Sequence, residues 1–328
     1  MVSTNLSNMT SPSASKTIGT ANSTTPSLPV KIREMHNHHM DSTVWNDFKF
    51  RPDDVIIATY AKAGTTWMQQ IVSQLVHSGD ESVAPQVLSP WVDLRIIPRD
   101  ALFQQLEAQT HRRFMKTHLP IDATVWRPEV KYIFCARDGR DTMWSLHNHL
   151  FVATDMFYQL INDTPGRVGP PLARPSDNPR DMFMQLLDGD MNPETVWPFW
   201  SHIRGWWEVR EQPNLLLVHF NDLKADLNGE MRRIAKFLEI PEMRAENWDA
   251  AVEHCTFDWM KAHAELTAPQ QSDIAFKEGA HSFIHKGTNG RWKNVLSEDD
   301  NRQYLERARQ ELGEECARWL EKGRLQRA

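Results

Sequence analysis

Val55-Ile56-Ile57-Ala58-Thr59-Tyr60-Ala61-Lys62-Ala63-Gly64-Thr65-Thr66-Trp67 runs from a short apolar segment, through a turn, into residues spaced for a helix. Residues 55–60 are rich in β-branched side chains and almost wholly apolar, the pattern of a strand covered on both faces. Helical spacing then holds over residues 65–76. At such a junction Gly64 allows close backbone approach, the first amides of the helix point toward an anion, and Lys62 brings a mobile positive charge beside the hydroxyls of Thr65 and Thr66. The outline is that of a phosphate cradle. A plain strand-to-helix turn with an exposed lysine is the alternative while this segment is taken alone.

Residue order narrows the ligand. In the nucleoside-triphosphate loop G-x-x-x-x-G-K-[ST] the lysine follows the second glycine, whereas Lys62 precedes Gly64. A triphosphate-hydrolysing enzyme or a small-molecule kinase is thereby disfavoured, and no magnesium-binding acidic residue is evident after a strand.

Beyond this segment the chain alternates strands with helices, as in a parallel sheet covered on both faces. Further strands are expected at 131–136 and 215–220, with a short one at 113–115, and further helices through Trp144 and Leu146, at 227–238 and at 298–322. In the last of these Tyr304, Ala308, Leu312, Cys316 and Leu320 recur at four-residue spacing, an amphipathic stripe. The expected fold is a single α/β domain over residues 30–328, with a central, mostly parallel sheet flanked by helices. Residues 160–179 are dense in Pro, Gly, Asp and Asn and read as a long surface excursion; 272–294 also read as irregular. Residues 1–29 are rich in Ser, Thr and Asn, with Lys16 their sole charged residue, and are expected to be disordered. A transit peptide is the alternative for this tail, disfavoured because it contains no Arg.

Composition excludes several classes. With 40% hydrophobic and 24% charged residues the chain is an ordinary globular protein, and a formal charge of −6 speaks against general nucleic-acid binding. Cys135, Cys255 and Cys316 are far apart, odd in number and without metal-ligand spacing, so neither a disulfide framework nor a metal site is expected. No apolar run would span a bilayer and the start lacks the order of a secretory signal, which makes the cytoplasm the expected compartment and leaves no membrane partner.

Two more loops carry cations. Arg137-Asp138-Gly139-Arg140-Asp141 follows the second long strand, with Ser145 about two turns into the next helix, so arginine and serine could converge on a second phosphate. Lys116-Thr117-His118-Leu119-Pro120 follows the short strand. In extended chain, residues two apart point to the same side, so Lys116 and His118 could face one reaction centre. Histidine suits a general base for a hydroxyl. A solvated charged loop and a structural histidine are the bland readings of these motifs.

Together these motifs resemble the cytosolic sulfotransferase family: the loop 60–67, Lys116-Thr117-His118-Leu119-Pro120, Arg137 with Ser145, and Lys286-Gly287-Thr288-Asn289-Gly290-Arg291-Trp292-Lys293-Asn294, in that order. The resemblance implies 3′-phosphoadenosine 5′-phosphosulfate (PAPS) as co-substrate, 3′-phosphoadenosine 5′-phosphate (PAP) as product, and no metal. By the same resemblance Lys62, Gly64, Thr65 and Thr66 hold the 5′ phosphosulfate, and Trp67 stacks on adenine. Phe220, Thr256 and Phe257 also lie near the nucleotide, while Arg137, Ser145, His285, Lys286 and Gly287 take the 3′ phosphate. His118 would take the acceptor's proton, Lys116 would face the sulfuryl oxygens, and Lys62 would stabilise the leaving oxygen.

The chain departs from the family in three places. Ala61 and Ala63 stand where Pro and Ser are usual; losing that serine removes a hydroxyl that restrains the lysine, so donor hydrolysis without acceptor is an expected consequence. His285 stands where an arginine is usual, and donor affinity is expected to fall as pH rises through its titration. Ser297-Glu298 departs from a short dimer-forming motif, so dimerisation by that route is not expected.

The expected acceptor is a small phenol or hydrophobic alcohol. Of the 13 tryptophans and their aromatic or Met neighbours, Trp91, Phe151, Met156, Phe157, Trp197 and Trp200 fall in segments that could border it. For Trp197, Trp200, Trp206 and Trp207, spaced along a helix, core packing is the competing reading. A carbohydrate acceptor and a non-catalytic nucleotide binder are the alternative functions; a binder would need neither Lys116 nor His118.

Overall fold

The computed structural model describes residues 27–188 and 197–324; the tail expected over 1–29 thus lies outside the described residues except for 27–29. Strand β1, Val55–Thr59, is central in a four-stranded sheet of order β2-β1-β3-β4, with β2 Phe114–Thr117, β3 Lys131–Ala136 and β4 Leu215–His219. Every pairing is parallel, so the central sheet is wholly rather than mostly parallel.

Because strand side chains alternate, β1 divides itself between two cores. Ile56 and Ala58 join Met115, Tyr132 and Phe134 on one face, and Val55 and Ile57 join Phe114, Ile133 and Cys135 on the other. The helices of nine residues or more are α1 Thr65–Val76, α2 Arg99–Glu107, α3 Gly139–Val152, α4 Asp155–Asp163, α5 Pro179–Leu187, α6 Phe199–Glu208, α7 Leu227–Phe237, α8 Ala245–His254 and α9 Glu298–Lys322. On the second face α1, α7 and α8 supply Met68, Ile71, Met231, Ile234 and Trp248. On the first, Trp206 of α6 stacks on Phe134 at 5.2 Å and Trp200 contacts Tyr304 of α9 at 5.6 Å. Both tryptophans are fully buried. They act as core, each contributing on the order of 1.5–3 kcal/mol. The four-residue stripe of α9 is buried along its whole length, although Gly313 breaks the helical backbone at φ 75°.

Several boundaries differ from the sequence reading. The apolar run 215–220 stops as a strand at His219, because the His219 ring accepts from the Asn221 amide at 3.1 Å and caps a short helix Phe220–Ala225. The run 55–60 leaves the sheet after Thr59, with the Tyr60 hydroxyl donating to the Trp197 carbonyl at 2.9 Å. The short strand begins at Phe114 rather than Arg113. The excursion expected over 160–179 shrinks at its start, since α4 continues to Asp163 and Asn178 caps α5. Ser297 caps α9 in a reciprocal pair with Asp300, which accounts for the Ser297-Glu298 sequence as a helix start. Among the described residues no helix is long and apolar enough to cross a membrane.

At the amino end of the sheet, Arg113 and Asp54 are fully buried and paired through two hydrogen bonds of 2.8 and 2.6 Å. Removing one partner of such a pair strands the other charge. Asp54→Ala is therefore expected to lower unfolding free energy by about 3–5 kcal/mol in urea titration. A loss below about 1 kcal/mol would mean that Glu107, 3.5 Å from the guanidinium, takes over the pairing.

Candidate active site

The turn after β1 is shaped by two left-handed residues, Lys62 at φ 67° and Gly64 at φ 111°. The φ of Gly64 favours glycine, and a Cβ there would also crowd the Phe220 ring at 3.1 Å and Cys135 Sγ at 3.3 Å. Gly64 caps α1 with no side-chain bond and the first turn has no acid, leaving the opening amides without a capping side chain. Thr65 is buried, its hydroxyl 2.6 Å from that of Thr59, while Thr66 is partly exposed. The Trp67 indole donates to the Cys255 carbonyl at 2.7 Å and meets Phe220 edge-on at 5.1 Å.

Pairing of Ala58 with Thr117 brings His118 beside the end of β1. His118 Nδ1 is 2.8 Å from the Thr59 carbonyl oxygen, which can only accept; Nδ1 therefore carries the hydrogen and Nε2 the lone pair. Trp91 stands edge-on to the ring at 4.6 Å and Trp197 stacks on it at 5.7 Å. Burial, reinforced by the charge of Lys116, drives its pKa down to about 3. Lys116 also flanks Trp91, at 6.0 Å from the ring, and burial lowers its pKa to about 8. The pKa of Lys62 falls to about 7 through burial and the charges of Arg137 and Lys116. Its ammonium lies 3.4 Å from His149 Nδ1 and 4.5 Å over the Phe283 ring.

Behind these groups Asp93 accepts from the Trp45 indole at 2.8 Å, from the Trp91 indole and from the Thr117 hydroxyl. Burial pushes its carboxyl up to about 6. It fixes Trp91 and the end of β2, and so the surroundings of Lys116 and His118.

The late loop closes against the end of β3. Arg137 donates to Asn289 Oδ1 at 2.8 and 3.1 Å and to the Thr288 carbonyl at 3.1 Å, with its guanidinium 4.3 Å above Phe220. Ser145 lies instead in a cleft of about 310 Å³, mouth included, with Lys62, His149, Phe283, His285 and Arg291. Lys286 is exposed. Gly287, at φ 59°, packs so closely that a Cβ would be 2.5 Å from the Phe257 ring, and the Thr256 hydroxyl caps the helix Phe257–Ala262.

His285 changes meaning in three dimensions. Its Nδ1 is 2.9 Å from the Arg291 guanidinium, which only donates, so the ring is neutral there. Burial and the charges of Arg291, Lys286, Lys261 and Lys62 push its pKa below the ordinary value. Arg291 and Lys62 bring cations to this part of the cleft, and the lowered pKa of His285 moves its titration to lower pH.

Lys62, Ser145 and His285 therefore share one cleft, Lys116 and His118 flank one tryptophan, and Phe220 lies under Arg137 and edge-on to Trp67. Asn289 occupies the fork of Arg137, while Ser145 lines the cleft shared with Lys62. Sequence reasoning missed Thr59, Asp93, His149 and Asn289. Only His149 had a readable signal: it lies four residues after Ser145 and so on the same helical face. Of the residues assigned to the acceptor side, Trp91, Phe157 and Trp197 surround His39, with centroids 5.9, 6.2 and 6.3 Å away, whereas Phe151 and Met156 are exposed and Trp200 is core. Among the described residues no group of three or more His, Cys, Asp or Glu side chains could hold a metal ion.

A family model of the sulfotransferase domain matches residues 52–315. A glycolipid sulfotransferase of Mycobacterium tuberculosis is 31% identical over 307 residues, covering 87% of this chain and 92% of that protein. Sulfotransferase 1B1 of the dog, Canis lupus familiaris, is 28% identical, covering 78% of this chain and 82% of its own. Among solved structures, mouse sulfotransferase SULT7A1 complexed with PAP has the same fold at a TM-score of 0.61 and 20% identity, covering 85% of this chain and 91% of its own.

The geometry around His118 makes a direct prediction. NMR of nitrogen-labelled histidine should find His118 neutral, with hydrogen on Nδ1, and not titrating between about pH 5 and 8. A midpoint inside that interval would contradict the Thr59-bound, desolvated ring.

Proposed function

The chain belongs to the sulfotransferase family, and we propose that it moves the sulfuryl group of PAPS to a hydroxyl of a small hydrophobic phenol or alcohol, by in-line displacement with His118 as base. The catalytic unit in this reading is residues 30–328. The observation that carries it is the hydrogen bond from His118 Nδ1 to the Thr59 carbonyl, which leaves a neutral ring with its basic nitrogen available beside two desolvated lysines.

The local residues fit the donor. Partly buried Lys62 and Lys116 carry depressed pKa values that an anion would reverse, and the opening amides of α1 have no capping side chain. In this reading Gly64, Thr65 and Thr66 hold the 5′ phosphate side. Trp67, Phe220, Thr256 and Phe257 border adenine. Arg137, Ser145, Lys286 and Gly287 take the 3′ phosphate, with Arg291 supplying the charge that His285 lacks. His118 Nε2 accepts the acceptor's proton as the new S–O bond forms, Lys116 faces the sulfuryl oxygens, and Lys62 meets the charge that develops on the departing phosphate oxygen. This chemistry asks for no metal, since lysines and amides supply the positive field.

Trp91, Phe157 and Trp197 support an apolar acceptor. A second reading is a glycolipid, whose sugar hydroxyl would meet His118 while its apolar part lies among the rings. The 31% identity to a glycolipid sulfotransferase favours it. Labelled donor offered with phenols, alkyl alcohols, steroids and glycolipids separates the two: sulfation confined to sugar hydroxyls would overturn the first.

His118→Ala is expected to lower kcat by about 10²–10⁴ while PAP affinity stays nearly unchanged. Retained turnover would remove His118 from the base role. Lys62→Ala should weaken donor binding and lower kcat by about 10²–10³, and an unchanged rate would contradict its place at the leaving oxygen.

The lysines also set a pH dependence. Their pKa values near 7 and 8 in the ligand-free site must rise when a polyanion binds, so binding takes up protons and affinity falls as pH rises through that interval. Calorimetry of PAP binding in buffers of different ionisation enthalpy should detect the uptake. Affinity that stays flat between about pH 6 and 9 would count against buried, titrating lysines.

A further inference from the structure

The segment Asn37-His38-His39-Met40 precedes β1 and is fixed through its backbone. Asn37 Oδ1 accepts from the His39 and Met40 amides, each at 2.8 Å, and the His39 carbonyl accepts from the Arg95 amide at 2.8 Å. The Arg95 guanidinium donates to the His38 carbonyl at 3.1 and 3.2 Å. His39 is thus a held position, and its ring is buried. Its Nδ1 lies 2.5 Å from His38 Nδ1, so one of these rings donates and the other accepts. That contact uses one ring nitrogen only. Among the described residues His39 Nε2 has no hydrogen-bond partner. Burial, with the charges of His38, His118 and Arg95, holds the ring's pKa well below the ordinary value, so it stands neutral.

The same two tryptophans touch this ring and the proposed base. Trp91 lies 5.9 Å from His39 and 4.6 Å from His118, and Trp197 lies 6.3 Å from the first and 5.7 Å from the second. Trp197 brings a second idle polar atom, since its indole nitrogen is buried with no partner. A buried donor left unpaired costs about 1–3 kcal/mol. Two nitrogens without partners therefore stand in the aromatic cluster beside His118, where folding alone gives them no return.

We propose that His39 is a specificity-determining residue that selects acceptors carrying a second oxygen, a hydroxyl or carbonyl apart from the hydroxyl that takes the sulfuryl group. The inference rests on the sulfuryl-transfer reading, with His118 as base. The reacting hydroxyl meets His118 Nε2, the apolar body lies against Trp91 and Phe157, and the second oxygen meets His39 Nε2, with the Trp197 indole as a further donor. The hydrogen between His38 and His39 adjusts the fit. When His38 donates, His39 carries its hydrogen on Nε2 and gives it to the ligand; when His39 donates, Nε2 offers a lone pair to a hydroxyl. A hydrocarbon with one hydroxyl fills the same rings and leaves these nitrogens unpaired. Sites built to bond a substrate oxygen discriminate strongly against analogues that lack it.

Transfer of labelled sulfate to naphthol and to dihydroxynaphthalenes, with kcat/KM counted per hydroxyl, gives the ratio that tests this. In the wild-type protein the best dihydroxynaphthalene should exceed naphthol about tenfold or more. His39→Phe keeps an aromatic ring without its nitrogens and should bring the ratio close to one; His39→Gln, with a polar end, should keep part of it. A folding fault lowers both rates together and leaves the ratio, and PAP affinity reports it separately. A wild-type ratio near one overturns the proposal, as does a ratio that His39→Phe leaves unchanged. Calorimetry on the PAP-loaded protein reads the same pair without turnover. Tighter binding of the dihydroxynaphthalene, lost in His39→Phe, with sulfate transferred to neither compound, would support the His39 site and sink the transfer reading. Transfer to both at equal kcat/KM would sink the His39 assignment alone.

Discussion

Parallel pairing of β1 with β2 and β3 is the constraint on which the site depends. The register that sets Ala58 against Thr117 and Thr59 against Cys135 brings three strand ends level at one edge. Each strand must then leave the sheet by a crossover, so three loops emerge side by side there. One bears Lys62, the next His118 just past Lys116 of β2, the third Arg137. Slipping β2 by one residue would turn Met115 out of its core and carry His118 away from the Thr59 carbonyl.

What that edge gathers is costly while empty. Burial lowers the pKa of both Lys62 and Lys116; for Lys62 the charges of Arg137 and Lys116 add to the effect, whereas Asp93 opposes it at Lys116. An anion of the right shape relieves that cost, and charges already in place act strongly on a transition state. His118 is tuned the other way. The burial that destabilises its cation keeps it neutral, and the Thr59 carbonyl selects the tautomer with Nε2 basic. One desolvated environment thus prepares two kinds of group, cations that an anion would stabilise and a neutral ring with its lone pair on Nε2.

The parts legible in the sequence were those with local causes. The bounds of β3, α1 and α9 follow from an apolar run or a helical stripe within one segment. The end of β4 was not legible, because the His219 side-chain cap overrode an apolar run that continued through Phe220. The loop cations were recognisable as motifs, but their partners were not. Asp93 between Trp45 and Thr117, Arg137 against Asn289 and His149 beside Lys62 join segments far apart in the chain, and only tertiary packing brings them together. The tryptophans divide by the same logic: Trp200 and Trp206 face inward on α6 and became core, while Trp91 and Trp197 sit at segment ends beside His118.

The late loop carries the consequence furthest. Arg137 already holds a planar acceptor, Asn289 Oδ1, through Nε and one terminal nitrogen, with Thr288 adding a carbonyl. In the proposed reading a 3′ phosphate would not fill an idle guanidinium; it would displace a neutral amide from a charged fork. A hydrogen bond to a charged group is worth about 1.5–3 kcal/mol, and a dianionic phosphate repays its loss with a stronger bidentate pair. A nucleotide with a bare 3′ hydroxyl has no such means, so it would face Asn289 as a competitor it cannot outbid. Asn289 thereby becomes part of the discrimination between nucleotides with and without the 3′ phosphate, although in this reading it touches neither the sulfuryl group nor the acceptor.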